Sequence, residues 1–500
     1  MPSRLERWHV VVAAGVALVL TTAAIAIIVT RTQPVQVVTA DGPAVQVAET
    51  ERRSSDADVV AVTLTAAPTT VRIGDRVVET WTFNGQLPGP ELRLTAGDVL
   101  RARVENRLPD QLTVHWHGID LRADMDGVPH VSQEPIPPGG DFTYEFTVPD
   151  PGTFFYHSHV GVQLDRGLYG ALIVEDPAAA TTYDREFTVL LDDWLDGLAG
   201  TPDDVLSQLR TEGMSHGGMG GMHHGAGDGT VDSPLGTDTG DVDYQLFLAN
   251  GRPAENPDEV AMEPGERVRL RLINAASDTA FRVAVGGARL KVTHTDGRPV
   301  LPVDTDAVLL GMGERYDAVV TVTSPGVFPL VASAEGKDGQ ALALLRAGPG
   351  ESPPPDVAPS ELGGRLLTLD DLQADPAVSL GDSEHDRTYR VQLTGGMHTY
   401  DWDVDGEEVD GITLPVHEGE RVRLVLDNDT MMWHPMHLHG QPFQVQVASG
   451  GGPVKDTVNV APMDQVTVDF VADNPGTWML HCHNIYHAET GMHTLINYIE

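Results

Sequence analysis

The chain has 500 residues, of which 73 are acidic and 32 are Lys or Arg, so its formal net charge at pH 7 is -41. A single hydrophobic core stops growing well below this length, so we expect about two to four domains. The excess of negative charge repels phosphate backbones, which excludes nucleic acids as partners and favours cations as ligands.

The first predicted element is an apolar helix within residues 1–32. Residues 10–29 carry no charge, and Arg4 and Arg7 precede them. Such a stretch spans about 30 Å as a helix, which matches one bilayer core, and the basic flank is typical of an end that stays in the cytoplasm. We predict either a signal anchor at the outer face of the cytoplasmic membrane or a cleaved signal peptide of a secreted or periplasmic protein.

Three sequence landmarks recur in the same order along the chain. GDVLRARVEN at 97–106 returns as GERVRLRLIN at 265–274 and as GERVRLVLDN at 419–428. Each copy alternates apolar and polar residues as a half-buried strand does. Nine residues after the closing Asn of each copy come, in turn, HWHG, VAVG and HLHG. Later in each repeat come PGTFFYHSH, PGVFPLVAS and PGTWMLHCH. These landmarks predict a threefold repeat of one strand-rich domain.

The predicted fold is all-β. A flexible stalk is expected over 33–57, and Greek-key domains are expected over 58–178, 185–347 and 365–500. The proline-rich segment 348–364 has the composition of a linker between the second and third domains. One short helix is predicted over 203–210.

Four H-x-H pairs lie at equivalent places in the first and third repeats: His115/His117, His157/His159, His437/His439 and His481/His483. Side chains at i and i+2 of a strand share a face, so each pair directs both imidazoles the same way. Val283, Val285, Val331 and Ser333 stand at these positions in the middle repeat. Eight converging imidazoles require a metal, because their desolvation and mutual repulsion are otherwise uncompensated. The outer repeats are therefore predicted to face each other, with the middle one as a spacer.

The only cysteine, Cys482, lies between the two histidines of the fourth pair. Its sulfur therefore points to the opposite face of the strand, where we predict a second metal site. His434, His487 and Met492 complete a two-histidine, one-cysteine set with a weak thioether, which is the ligand set of a blue-copper centre. An electron that reaches the sulfur can pass through the backbone of Cys482 into either neighbouring histidine.

The motifs HWHG, HSH, HPMHLHG and HCHNIYHAETGM resemble those of three-domain multicopper oxidases, the family of laccases and bacterial copper-efflux oxidases. The resemblance covers essentially the whole chain after about residue 55 and implies three consecutive cupredoxin-like domains. It also implies an enzyme that takes electrons singly from a reductant at a type 1 copper and reduces O₂ to water at a trinuclear cluster. Four copper ions per chain are implied: one of type 1, one of type 2 and two of type 3.

The same resemblance implies the ligands by motif position. The type 1 copper would be held by His434, Cys482, His487 and Met492, and the type 2 copper by His115 and His437. One type 3 copper would be held by His117, His157 and His483, and its partner by His159, His439 and His481.

The resemblance also bears on proton transfer. Asp126, in DMDGVPH, matches the family's carboxylate that relays protons, so Asp126 and Cys482 are the expected catalytic residues. A turn aspartate before Gly127 is the alternative.

The substrate is indicated by MSHGGMGGMHHG at 214–225, an insertion in the second repeat. Thioethers are soft and select Cu(I), and imidazoles add affinity. The expected substrate ligands are Met214, His216, Met219, Met222, His223 and His224. A Gly-rich loop with incidental Met and His is the alternative. Met431 and Met432, just before His434, could be an inner docking point or core filler.

Three functions remain open at this point. The leading hypothesis is an exported oxidase of Cu(I) that serves copper tolerance. The second is laccase-like oxidation of phenols, aromatic amines, Fe(II) or Mn(II), and the third is a non-catalytic copper-sequestering protein. The expected partners are O₂ and a small reductant, with membrane contact only through an uncleaved N-terminal helix, and the protein is expected to be a monomer.

Overall fold

The computed structural model describes residues 35–176, 182–198, 200–213, 233–381, 383–409, 411–448 and 450–500. These residues form β-strands and three α-helices: α1 (Pro43–Arg52), α2 (Pro202–Glu212) and α3 (Ile485–Glu489). Within the described ranges, no helix has both the length and the apolar character needed to cross a bilayer. The predicted N-terminal helix lies outside these ranges.

The first domain is a sandwich of two sheets. Its strands are β1 (Val59–Ile73), β2 (Arg76–Phe83), β3 (Leu92–Thr95), β4 (Val99–Asn106), β5 (Val114–His117), β6 (Asp141–Thr147), β7 (Gly152–Ser158) and β8 (Tyr169–Glu175). They are ordered β2-β1-β4-β6 in one sheet and β3-β8-β7-β5 in the other. Side chains from both sheets, among them Val104 and Trp116, share one buried core, which holds the two sheets face to face.

The second domain has a larger pair of sheets. Its strands are β9 (Arg185–Trp194), β10 (Leu246–Ala249), β11 (Arg252–Pro253), β12 (Asp258–Ala261), β13 (Arg267–Asn274), β14 (Phe281–Val285), β15 (Leu290–Thr295), β16 (Arg298–Thr305), β17 (Ala307–Leu310), β18 (Arg315–Thr321), β19 (Gly326–Ala334) and β20 (Gln340–Ala347). The sheets run β11-β10-β9-β13-β18-β15-β16 and β12-β20-β19-β14-β17.

The third domain contains the C-terminal strands. They are β21 (Arg387–Gly396), β22 (Asp401–Asp405), β23 (Glu408–Val409), β24 (Ile412–Thr413), β25 (Pro415–Val416), β26 (Arg421–Asn428), β27 (His434–Leu438), β28 (Phe443–Val445), β29 (Val454–Lys455), β30 (Thr457–Val460), β31 (Gln465–Val471), β32 (Thr477–Cys482) and β33 (His493–Tyr498). Its main sheets run β22-β21-β26-β31-β28-β29 and β25-β33-β32-β27-β30, and β23 pairs with β24.

The three domains repeat one pattern of strand pairing. The first long strand of each domain pairs in parallel with β4, β13 or β26, the strands that carry the recurring sequence landmark. The strands that bear the histidine motifs, or their equivalents, pair antiparallel as β5 with β7, β14 with β19 and β27 with β32. This repetition confirms the predicted strand-rich repeat and is consistent with cupredoxin-like domains.

The expected flexible stalk over 33–57 requires a correction, because residues 43–52 form α1. Pro43 starts this helix at a position where its missing N–H is not needed. Val45 is 1% exposed, and the Glu49 carboxylate accepts hydrogen bonds from the backbone N–H and hydroxyl of Thr147, at 3.1 and 2.8 Å. A ten-residue helix is marginal by itself, so these contacts with the first domain stabilise it.

The short helix predicted over 203–210 is confirmed as α2. Thr201 caps it, because the Thr201 hydroxyl accepts a hydrogen bond from the backbone N–H of Asp204 at 3.2 Å. The predicted linker 348–364 follows the surface of the second domain, where Gln340 donates to the carbonyls of Pro355 and Val357 at 2.9 Å each.

Candidate metal centre

The histidine pairs of the first and third domains meet at one buried interface. Antiparallel pairing sets His115 opposite His157 in the first domain and His437 opposite His481 in the third. The rings of His115 and His439 stack with their centroids 3.8 Å apart, and those of His117 and His437 stack at 3.7 Å. The outer domains therefore contact each other through imidazoles that lie more than 300 residues apart in sequence.

In most of these imidazoles, one ring nitrogen makes a hydrogen bond to a backbone or carboxylate oxygen outside the cluster. The Nδ1 atoms of His157 and His481 lie 2.8 Å from the carbonyl oxygens of Ser158 and Cys482. These contacts fix the rings so that the other nitrogen points inward. The following ring nitrogens of the cluster are buried without a hydrogen-bond partner in the described structure: Nε2 of His115, His157, His159 and His437, Nδ1 of His117, and both nitrogens of His483.

Burial favours the neutral form of seven cluster imidazoles, those of His117, His157, His159, His437, His439, His481 and His483. Desolvation, followed by repulsion from neighbouring imidazoles, holds the pKa of His157, His439 and His483 well below the usual value. The same causes lower the pKa of His159 to about 3. Neutral imidazoles whose nitrogen lone pairs face one another without a hydrogen bond are unfavourable by themselves, but they are good ligands for a transition metal. The donor set therefore fits copper.

The ligand atoms fall into overlapping groups that could each hold one ion. Four groups at the cluster have their ligand atoms within 4.8 Å of one another: His115 with His437 and His439, His115 with His117 and His157, His159 with His439 and His481, and His117 with His437 and Asp456. The structure thus brings together the expected trio of His159, His439 and His481. His483 stands beside the expected partners His117 and His157, with ring centroids 4.9 and 5.3 Å away.

Asp126 lies against this cluster and is fully buried. Its backbone carbonyl lies 2.9 Å from Nδ1 of His115, and its Oδ2 lies 2.9 Å from Nδ1 of His439. The carboxylate expected to relay protons therefore contacts a histidine from each outer domain. A carboxylate in this position orients the imidazole and can exchange a proton with it.

Asp456, which the sequence analysis missed, lies on the other side of the cluster. Its backbone carbonyl lies 2.9 Å from Nδ1 of His437, and its Oδ1 lies 3.1 Å from Nε2 of His117. Burial opposes ionisation of Asp456, but the Arg315 guanidinium outweighs it and holds the pKa of this carboxyl well below its usual range. Its position in KDTVNV gave no local sign of this role.

A second group of ligand atoms surrounds Cys482. The Sγ atom lies 3.9 Å from Nδ1 of His434 and 3.7 Å from Nδ1 of His487, and the two nitrogens are 3.2 Å apart. All three residues are fully buried, as is Met492, whose carbonyl accepts a hydrogen bond from the Cys482 N–H at 3.0 Å. The structure therefore places Cys482 with its expected histidine partners.

The protonation of this second group also fits a metal. Burial raises the pKa of the Cys482 thiol, and burial followed by the His487 charge lowers the pKa of His434 well below its usual value. A buried thiolate needs a nearby positive charge, and a bound cation supplies it. The His₂Cys donor set suits copper.

The outer nitrogens of the two histidines in this group have different partners. Nε2 of His434 lies 2.8 Å from the Thr430 hydroxyl. Nε2 of His487 lies 2.8 Å from Oδ2 of Asp241, which also accepts a hydrogen bond from the Tyr400 hydroxyl at 2.7 Å. Asp241 belongs to the second domain and was missed by the sequence analysis, because only the fold brings it to His487.

The remaining predicted substrate residues divide into two sets. Met214, His216, Met219, Met222, His223 and His224 lie outside the described residues. Met432 is 1% exposed and belongs to the core, whereas Met431 is 68% exposed. Met463, which the sequence analysis did not single out, is 64% exposed, and its N–H donates to the Thr430 carbonyl at 3.1 Å.

Comparison with protein families and known proteins gives a consistent result. Residues 65–179, 185–350 and 383–498 each match a family described as multicopper oxidase. The chain is 45% identical to multicopper oxidase MmcO of Mycobacterium tuberculosis, covering 91% of this chain and 90% of that protein. It is 30% identical to a copper resistance protein A homologue of Pseudomonas syringae pv. tomato, over 86% of this chain and 90% of that protein.

Solved structures show the same likeness. A multi-copper oxidase from Pseudomonas parafulva is 30% identical, with a TM-score of 0.67, and the match covers 88% of this chain and all of that chain.

Proposed function

Since this chain belongs to the multicopper oxidase family, whose members are oxidoreductases that use O₂ as acceptor, we propose that its physiological substrate is Cu(I). Four Cu(I) ions, one O₂ and four protons would give four Cu(II) ions and two water molecules. The observation that carries this proposal is the buried carboxylate of Asp241 on the outer nitrogen of His487. The proposed role is copper tolerance.

We assign four copper ions per chain to the residues implied by the motifs. His434, Cys482, His487 and Met492 would hold the type 1 ion, and the eight paired imidazoles would hold one type 2 and two type 3 ions. Copper at these centres would supply the one-electron redox chemistry and the site of O₂ reduction.

The chain itself provides the connection between the two centres. Cys482 is covalently continuous with His481 and His483, so its backbone gives a short through-bond path from the thiolate to the cluster. Asp126 would hold a proton at Nδ1 of His439 and pass it towards the site where O₂ is reduced.

Asp241 favours a cation over a phenol as the electron donor. A phenol would need to approach Nε2 of His487, and the Asp241 carboxylate already accepts a hydrogen bond from that atom. Burial, followed by the negative charges of Asp241 and Asp278, raises the pKa of nearby Asp238 to about 6. Asp241 and Asp278 thus place negative charge near His487, which attracts a metal cation.

Exposed thioethers favour Cu(I) over Fe(II) and Mn(II). Met431 and Met463 are the most exposed large hydrophobic side chains of the described chain, and both adjoin Thr430, whose hydroxyl contacts His434. Hard cations such as Mn(II) prefer oxygen ligands, whereas thioethers prefer Cu(I). Two exposed methionines beside Thr430, the hydrogen-bond partner of a proposed type 1 ligand, therefore suit delivery of Cu(I).

The insertion 214–225 is proposed as an outer site for capture of Cu(I). Gly213, the last described residue before the insertion, packs so closely on His398 that a Cβ at this position would lie 2.0 Å from the His398 carbonyl oxygen. Arg210 donates a hydrogen bond to the carbonyl of Glu489, which lies beside His487. On the other flank, the Trp433 indole donates to the Thr239 carbonyl at 3.2 Å. Both flanks thus adjoin the loops that carry the type 1 ligands. Deletion of 214–225 should slow oxidation of Cu(I) more than oxidation of a bulky phenol, and equal slowing would contradict this role.

Two alternative functions would be distinguished by the O₂-consumption test described below. Laccase-like oxidation of phenols or aromatic amines, or of Fe(II) or Mn(II), would preserve the chemistry and change the substrate. A non-catalytic copper-sequestering protein would bind copper without consuming O₂.

The proposed location is outside the cytoplasm, with the protein acting as a monomer. The proposed location is supported by the uncharged stretch 10–29, which follows two arginines. An uncleaved stretch would anchor the protein at the outer face of the cytoplasmic membrane, and a cleaved one would release it to the periplasm or medium.

The test is O₂ consumption by the copper-loaded full-length protein with Cu(I), Fe(II), Mn(II) and a phenol panel. We expect the highest kcat/KM with Cu(I). A higher value with a phenol would establish the laccase-like alternative, and the absence of O₂ consumption with every donor would establish sequestration.

A further inference from the structure

The middle domain reaches the histidine cluster although it carries none of the histidine pairs. Gly313 has a φ of +83°, and a Cβ at this position would lie 2.8 Å from Cδ2 of His483 and 3.0 Å from Cε1 of His117. Two residues later, Arg315 begins β18 and is fully buried. The turn of the middle domain that precedes β18 thus packs directly on rings from both outer domains.

Arg315 connects all three domains. Its Nη1 and Nη2 donate to Oδ1 and Oδ2 of Asp456 in the third domain, at 2.7 and 2.6 Å. Its Nε donates to the carbonyl of Thr153 in the first domain at 3.1 Å. Its own backbone N–H donates to Oδ1 of Asp296 in the second domain at 2.8 Å. The bidentate contact of the Arg315 guanidinium with Asp456 fixes the plane of the Asp456 carboxylate.

The oriented Asp456 carboxylate determines which nitrogen of His117 faces inward. Nε2 of His117 lies 3.1 Å from Asp456 Oδ1 and 3.2 Å from the Thr457 hydroxyl, so the unpaired Nδ1 is the atom directed into the cluster. His437 is held on the same side, with Nδ1 2.9 Å from the Asp456 carbonyl and 3.4 Å from Oδ1. One carboxylate therefore orients a histidine from each outer domain.

We propose that Arg315 is a positioning residue for the trinuclear cluster, through which the middle domain fixes the geometry of His117 and His437. The proposal rests on the proposed binding of copper at the cluster. In the described structure the Arg315 side chain hydrogen-bonds to no ligand ring, so it acts through Asp456. Loss of the guanidinium would free the carboxylate to rotate, and both imidazoles would lose their fixed orientation.

The test is Arg315→Gln in the copper-loaded full-length protein, with the type 1 centre as an internal reference. We expect the blue absorption of the type 1 copper to persist, because no ligand of that centre contacts Arg315 or Asp456 in the described structure. The cluster copper should be lost to a competing chelator at about 10- to 100-fold lower chelator concentration, and the electron paramagnetic resonance spectrum of type 2 copper should change.

Arg298→Gln is the matched control. Arg298 also belongs to the middle domain, is 7% exposed and pairs with Asp120 and Asp150 of the first domain, neither of which contacts a cluster histidine in the described structure. Both variants remove a buried interdomain arginine, so both should lower Tm. Only Arg315→Gln should alter the type 2 spectrum and the retention of cluster copper.

Two further variants keep the outcome decisive. Arg315→Lys retains the charge but cannot bridge both carboxylate oxygens, so it should fold and restore copper retention only in part. Asp456→Asn should reproduce the Arg315→Gln spectrum. Unchanged type 2 spectra and copper retention in Arg315→Lys and Asp456→Asn would overturn the proposal, as would equal spectral changes in Arg298→Gln. Failure of the wild-type protein to bind copper at the cluster would instead contradict the proposed function.

Discussion

Asp126 and Asp456 occupy equivalent places on opposite sides of the histidine cluster. Each accepts, through its backbone carbonyl, a 2.9 Å hydrogen bond from Nδ1 of the first histidine of an H-x-H pair in its own domain, His115 for Asp126 and His437 for Asp456. Each carboxylate then contacts a histidine of the other outer domain, His439 for Asp126 and His117 for Asp456. The two outer domains therefore support each other's ligands reciprocally.

Asp126→Asn is expected to slow O₂ reduction without removing copper. The amide oxygen can still accept the hydrogen bond from His439, but the amide cannot take up and release a proton at neutral pH. We expect a decrease of about 10²- to 10⁴-fold in the rate at which the fully reduced protein is reoxidised by O₂. Stopped-flow mixing with O₂ measures this rate, and an unchanged value would remove Asp126 from proton transfer.

Cys482→Ser should abolish the blue colour and the turnover with every donor. A hydroxyl is a poor substitute for the thiolate that gives the His₂Cys set its copper chemistry. The histidine cluster should still bind copper, since its groups do not include Cys482. Visible absorption and copper content of the purified variant check this outcome, and a blue variant would contradict the assignment of the sulfur ligand.

Asp241→Asn should impair oxidation of Cu(I) selectively. The substitution keeps a hydrogen-bond acceptor near His487 but removes the charge that attracts a cation. We expect kcat/KM for Cu(I) to fall by about 10- to 100-fold, and kcat/KM for a phenol to stay the same or rise. Asp243→Asn, at an exposed acidic residue of the same segment, is the control. An equal decrease for both donors would show that Asp241 only maintains the structure of the centre.

Asp317 should make the stability of the protein depend on pH in acid. Burial opposes ionisation of Asp317, but the charges of Arg269 and Arg271 outweigh it and lower the pKa of this carboxyl to about 2 from its ordinary 3.8. The folded-state pKa lies below the unfolded one, so the stabilisation is complete above pH 3.8 and is lost as the pH falls to about 2.

The size of this contribution is about 2 kcal/mol. Chemical denaturation of the protein and of Asp317→Asn, each followed from pH 6 downward, measures it. The variant should be less stable at pH 6, and the difference between the two proteins should shrink as the pH approaches the folded-state pKa. A constant difference across this range would exclude the ion pairs as its source.

The sequence predicts what depends on local periodicity. Alternation along a strand is sufficient to direct His481 and His483 to one face and Cys482 to the other, and the repeat is sufficient to identify the two domains that meet. It does not predict Asp241, Asp456 or Arg315, because their contacts with the ligands join segments that are distant along the chain.

The sequence pattern does not predict helix α1, for a related reason. PAVQVAETER has only ten residues and a weak separation of apolar from polar positions, so the sequence alone favours a flexible stalk. The helix depends on the burial of Val45 and on the bonds of Glu49 to Thr147, which exist only when the first domain has folded.

The position of the ligands along the chain sets the order in which the enzyme can be assembled. The first histidine pair lies on β5, and the last proposed ligands lie between the end of β32 and Met492, so the growing polypeptide cannot complete either centre until these residues have left the ribosome. The first sandwich closes largely around its own apolar core and can form as it is synthesised, whereas the buried cores of the second and third domains are continuous with each other. Loading with metal is therefore expected to follow the synthesis and folding of the third domain.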